Sequence, residues 1–154
     1  MKQYNYVITE VLNDLIRINN DRIAGFEKAF TEIDTRETDL QELFKGMANE
    51  SRNHVTELHE QVDAIGGEPA KGTTIGGKIY RIWMDVTATF CGHDPKAILA
   101  SCEFGENSAL KAYQAALDSY ELPGELKDLV IKQQENLVSS LNIIQLQRRV
   151  ITAS

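Results

Sequence analysis

The amino-acid sequence predicts an all-α protein, a four-helix bundle with one long crossover that carries a short fifth helix. Three observations lead there. Apolar residues recur at spacings of three and four almost throughout, and strand-like alternation is nearly absent. Glycine and proline, ten and three in all, gather at a few points that punctuate the chain. The stretches between those points are long enough for helices of roughly 40 Å at about 1.5 Å per residue.

The first helix carries Ile8, Leu12, Leu15, Asn19, Ile23, Phe26, Phe30 and Ile33 on one stripe and stops at Asp34-Thr35. Thr38 followed by Gln41 predicts a capping box at the start of the second helix. That helix continues through Phe44, Met47, Ser51, Val55, Leu58, Val62 and Ile65, and Gly66-Gly67 supplies a left-handed stop. A loop with Pro69, Gly72 and Gly76 follows, then a shorter helix with Ile79, Trp83, Val86 and Phe90. Asp94-Pro95 predicts an N-cap with proline in the first turn of the third long helix. Leu122-Pro123-Gly124 ends that helix and opens the last one, with Leu126, Val130, Leu137, Leu141 and Ile144 on one face.

Connection length sets the topology. Short links make antiparallel pairs of the first two and the last two long helices, whereas nearly thirty residues from Gly66 to Asp94 can return along the bundle. One long crossover is the ferritin-like arrangement. With 154 residues and 17.3 kDa, residues 1–154 are expected to form a single domain.

Composition narrows the function classes. Hydrophobic residues at 42% and charged residues at 25% fit an ordinary globular chain. A net charge of −7 without a dense Lys/Arg run argues against a nucleic-acid or anionic-membrane binder. The N-terminus has no signal-peptide core, and no apolar run approaches a membrane span. Cys91 and Cys102 form no CxxC motif, so reduced thiols in a cytoplasm are expected. Gly72 to Lys78 imitates a phosphate-binding loop, but Ile79 stands where Ser or Thr would hold magnesium and no strand precedes it. It is read as a glycine linker.

The chemistry lies in polar residues on apolar stripes. On the third long helix the stripe reads Leu99, Glu103, Glu106, Leu110, Tyr113, Leu117 and Tyr120. Two carboxylates stand where a structural bundle places Leu. A buried carboxylate must be paired, hydrogen-bonded, protonated or metal-bound. One reading is a buried polar network with Tyr113 or Arg22 as partners; a rotation of the stripe toward Cys102, Ala109 and Ala116 would move Glu103 toward solvent. The other is a metal site, because Glu27, Glu50, Glu103 and Glu106 fall at similar depth with His54 close by. Iron or manganese in a full di-metal bundle site takes a Glu plus a Glu-x-x-His pair from each half. Here Glu50 is followed by Asn53 at i+3 and His54 at i+4, and Glu135 by Val138, so the ligand set is incomplete. His59 is expected outside the bundle and His93 in a linker.

Several phrases carry a family resemblance: Leu12-Asn13-Asp14-Leu15, Ile18-Asn19-Asn20-Asp21-Arg22, Gly25-Phe26-Glu27-Lys28-Ala29, Gly66-Gly67-Glu68-Pro69, Trp83-Met84-Asp85 and Cys102-Glu103-x-Gly105-Glu106. In this order, over nearly the whole chain, they resemble the bacterial ferritin-like four-helix-bundle family of unknown function (domain of unknown function 2383). The resemblance implies the fold and no established activity. The wider superfamily includes iron-storage proteins, rubrerythrin-like peroxidases and DNA-protecting proteins of starved cells. A His near the position of Leu141 is frequent in the family and absent here, which weakens a metal reading.

The expectation is therefore a non-enzymatic cytoplasmic bundle that self-associates, as a homodimer, or binds a partner protein, with a stress-related role in view and no cofactor. The alternative is a metal-dependent oxidase or peroxidase holding iron or manganese with Glu27, Glu50, His54, Glu103 and Glu106.

Overall fold

The computed structural model describes residues 2–73 and 94–153. The expected short helix, the phosphate-loop imitation beyond Thr73, Cys91 and His93 lie outside the described residues. The described residues form four helices: α1 (Lys2–Glu32), α2 (Thr38–Ala64), α3 (Pro95–Ser119) and α4 (Gly124–Ala153).

Helix directions follow from which polar side chains meet across the core. On α1 and α2, Asn19 meets His54 and Arg22 meets Ser51, so these helices are antiparallel. Asn19 with Tyr113 and Arg22 with Glu106 make α1 antiparallel to α3. Tyr113 with Gln133 and Glu103 with Arg148 make α3 antiparallel to α4. Helices α2 and α3 thus run the same way, and the chain from Ala64 to Pro95 must return the length of the bundle. Its first residues already do so along α1. Asn13 donates to the Glu68 carbonyl at 3.0 Å and accepts from the Ala70 amide at 2.8 Å, while Asn20, two turns further along, donates to the Gly72 carbonyl at 2.6 Å. With α2 and α3 parallel, the helix directions are those of the ferritin-like arrangement with one long crossover.

Helix ends mostly follow local chemistry. After α2, Gly66 adopts φ +76°, and the amides of Gly66 and Gly67 donate to the carbonyls of Asp63 and Val62, each at 3.0 Å. This is the Schellman pairing, which places a left-handed residue just past the helix. At the start of α3, the Asp94 side chain accepts from the Lys96 amide at 3.0 Å, with Pro95 in the first turn. The expected capping box on α2 does not form. Glu37 occupies the N-cap without a side-chain cap bond, and its carbonyl accepts from the Gln41 amide at 3.0 Å. Thr38 is already helical, one residue too late for its hydroxyl to cap.

The core runs the length of the bundle, from Ile8, Leu12 and Val62 at one end to Ile33, Leu40 and Ile144 at the other. Helix α1 packs along α2 and against α3, α3 packs along α4, and α2 meets α4 only over a short stretch. Two stripes differ from expectation. On α3 the buried line is Leu99, Cys102, Glu106, Ala109, Tyr113 and Ala116, whereas Glu103, Leu110 and Leu117 are half-buried and Tyr120 is exposed. Small side chains at Cys102, Gly105 and Ala109 let α3 close on its neighbours along this line, and close packing there outweighs the bulk of Leu110 and Leu117. On α1, Ile16, Ile18 and Arg22 are buried, while Ile23 is half-buried and Phe30 is exposed.

Candidate functional site

The middle of the bundle holds two adjacent polar layers, each built by all four helices. The first is ionic. Arg22 of α1 is wholly buried and donates through Nε to Glu106 Oε1 at 2.6 Å and through Nη2 to Glu106 Oε2 at 2.8 Å. Glu106 of α3 is equally buried. The remaining guanidinium nitrogen, Nη1, donates to Ser51 Oγ of α2 at 2.5 Å. Glu50, also from α2, brings Oε1 to 3.5 Å from Arg22 Nη2 and accepts from Ser140 Oγ of α4 at 3.2 Å. The guanidinium plane lies over the Phe26 ring, 5.4 Å from its centroid, and Phe26 stacks on Phe44 at 6.3 Å.

The second layer, a turn away, has uncharged side chains at its buried centre. Asn19 Nδ2 donates to the Leu15 carbonyl at 2.8 Å and to the Tyr113 hydroxyl at 2.7 Å. Tyr113 donates to Gln133 Oε1 at 2.7 Å, and Gln133 Nε2 reaches the His54 carbonyl at 3.3 Å and Glu57 Oε1 at 3.2 Å. His54 closes the ring. Its Nδ1 sits 3.0 Å from Asn19 Oδ1 and its Nε2 3.3 Å from Asn136 Nδ2. An amide oxygen can only accept and an amide nitrogen can only donate, which assigns the proton of a neutral imidazole to Nδ1.

Electrostatics agree with this division. Burial pulls the Arg22 guanidinium down, and the adjacent Glu106 carboxylate, with Glu50 behind it, more than offsets that, so Arg22 holds its proton more tightly than usual. For Glu106 burial raises the carboxyl above its ordinary value, and Arg22 opposes the rise. Burial, with help from the Arg22 charge, pushes His54 down to about 3, so the imidazole is neutral at physiological pH. Burial also raises Tyr113 and lifts the Cys102 thiol well above its ordinary value, which keeps that thiol unreactive.

The residues singled out from the sequence distribute unevenly. Glu50, His54 and Glu106 stand in or beside the two layers. Glu27 is exposed and paired with Arg52, and Glu103 is drawn to Arg148 and Gln145 at the edge of α4. Arg148 and Gln145 hold Glu103 below the usual carboxylate range against the effect of burial. Ser140 joins the ionic layer, whereas Asn53 faces solvent and His59 is half-buried. Gln133 and Asn136 had not been singled out. The signal for Gln133 was there: it interrupts the last helix's apolar face between Val130 and Leu137 at spacings of three and four.

As a place for a metal ion this arrangement fits poorly. Glu50 and Glu106 converge on a guanidinium, the imidazole nitrogens are both engaged, and Glu27 and Glu103 are turned to arginines of their own. Among the described residues no group of three or more His, Cys, Asp or Glu side chains is placed to hold a metal. The buried side chains of both layers hydrogen-bond one another across helices and so tie the four helices in one alignment.

The backbone resembles solved structures from Mycobacterium smegmatis. A tetragonal form of Dps superposes with a TM-score of 0.80 at 17% identity, covering 96% of this chain and 90% of that one. A Dps1 mutant superposes with a TM-score of 0.77 at 16% identity, covering 96% and 99%. At such identities the likeness establishes the ferritin-like fold. No curated protein matches the chain. The family model described as Domain of unknown function (DUF2383) matches residues 7–119, including Arg22, Glu50, His54 and Glu106, and the chain belongs to that family.

Proposed function

We propose that this protein is a non-enzymatic ferritin-like bundle that acts by self-association or by binding a partner protein, with Arg22 as the core cation in place of a metal ion. One observation carries the reading: the buried carboxylate of Glu106 is engaged by both faces of the Arg22 fork, and Glu50 leans on the same guanidinium. A positive charge fixed there by the chain repels a second cation and uses the lone pairs a metal would need. Elemental analysis of protein purified without chelators, followed by anaerobic titration with iron(II) or manganese(II), tests it. The expected result is no stoichiometric tight binding; such binding overturns the reading. Sedimentation velocity tests the association half.

A metal-dependent oxidase or peroxidase keeps one supporting observation, the meeting of Glu50 and Glu106 in the core with His54 a turn from Glu50. Iron or manganese binding there would require Arg22 to leave. Stoichiometric metal together with peroxide turnover that falls in Glu50→Ala supports this second reading, and absence of both rejects it.

A further inference from the structure

The outer face of α4 is depleted of charge. Residues 136–147 contain no Asp, Glu, Lys or Arg over twelve positions, in a chain where a quarter of residues are charged. Val138 and Leu146 are 42% and 51% exposed there, on the side away from the core residues Leu137, Ser140 and Ile144. Depletion of charge around exposed apolar side chains is the composition of an interface centre.

The pattern around this patch is a palindrome. Glu135, Val138, Asn142, Leu146 and Arg149 follow one another at spacings of three, four, four and three, all exposed and on one face of the helix. They form a strip of about 21 Å centred on Asn142. An antiparallel second copy, turned about a two-fold axis at Asn142, meets this strip with its own complement. Val138 faces Leu146 of the other copy, Glu135 faces Arg149, and each pair occurs twice. A parallel copy would set Glu135 against Glu135 and Arg149 against Arg149, which disfavours that orientation. Neither Glu135 nor Arg149 has an ion-pair partner among the described residues, so both charges are free to pair across the axis. With seven net negative charges on each copy, the uncharged strip is also where two copies approach with least repulsion.

We infer that this strip of α4 is the contact between two copies of the chain, packed antiparallel about Asn142. The inference rests on the self-association reading and gives it a surface. Sedimentation velocity of the full chain over a dilution series tests both, with circular dichroism confirming that each variant is folded. Wild type is expected to show a monomer–dimer equilibrium, and Leu146→Glu to be monomeric. Glu135→Arg and Arg149→Glu, each placing like charges together twice, are expected to raise the dimer Kd by about tenfold or more. The double exchange should restore it. Asn142→Cys, in a Cys91→Ser background, should form a disulfide-linked dimer on oxidation, because that position faces itself across the axis. A wild-type dimer indifferent to Leu146→Glu and to the charge exchange rejects this strip while leaving self-association standing. A monomer at every concentration rejects both.

Discussion

Arg22 and Glu106 show how a bundle core accommodates charge. Two ions removed from water are tolerable only as a pair with well-aligned hydrogen bonds, and the fork of Arg22 on Glu106 meets that condition. Removing one partner leaves the other charged and dry, so Glu106→Ala and Arg22→Met are each expected to cost about 3–5 kcal/mol in urea melts. The double variant Arg22→Met/Glu106→Leu should recover most of that loss, because neither charge then remains. His54 predicts a pH dependence. Its proton affinity in the folded chain lies near 3, below the ordinary 6.5, so between those values the unfolded chain binds the extra proton. Stability from this residue is complete above about 6.5 and is lost as pH falls toward 3, by up to about 1.4 kcal/mol per pH unit. Urea melts from pH 7 to pH 5 should show that slope, and His54→Gln should flatten it. The sequence revealed that Glu106, Asn19 and Ser51 interrupt apolar stripes, and hence that a polar layer exists. It offered Arg22, Tyr113 or a metal ion to close the layer and could not choose among them, because an Arg between Asn19 and Phe26 reads equally well as a solvated edge until the helix is rotated by its neighbours.

Helix ends make the sharpest predictions at the next scale. Gly66 needs its positive φ to complete the Schellman pairing, and a Cβ there meets nothing within 4 Å, so the penalty for substitution is conformational alone. Gly66→Ala should lower stability by about 1–2 kcal/mol in thermal or urea melts, and Gly66→Asn by less. Asp94→Ala should cost about 1 kcal/mol through the lost bond to the Lys96 amide. Elements were more legible than their rotations. Turn residues and apolar spacing located four helices, and the long interval after Gly66 indicated the crossover. The facing side of α3 stayed open between two rotations, because Leu99, Glu103, Leu110 and Leu117 offer the bulkier line, while the line that packs is the one through Cys102, Gly105, Ala109 and Ala116. Side-chain size at a helix contact depends on what the opposite helix presents, and a single helix does not record it.

At the scale of the molecule, the described residues form two helical hairpins, α1–α2 and α3–α4, joined most closely where α1 meets α3. Because both polar layers draw on all four helices, neither hairpin can loosen alone without stranding buried donors in the other. Unfolding is therefore expected to be a single transition, with helix content in the far ultraviolet and aromatic packing in the near ultraviolet lost together on heating. Non-coincident curves would show that the hairpins are separate cooperative units. The layers also bear on how the hairpins find each other. Apolar faces slide: a shift of one hairpin by a single turn, about 5.4 Å, still sets Leu against Leu. Arg22, Asn19, Glu106 and Tyr113 do not tolerate that shift, since each has its counterpart at one axial offset alone. They act as the detents of a ratchet, leaving the hydrophobic surfaces to drive the closing and allowing it to come to rest at one notch.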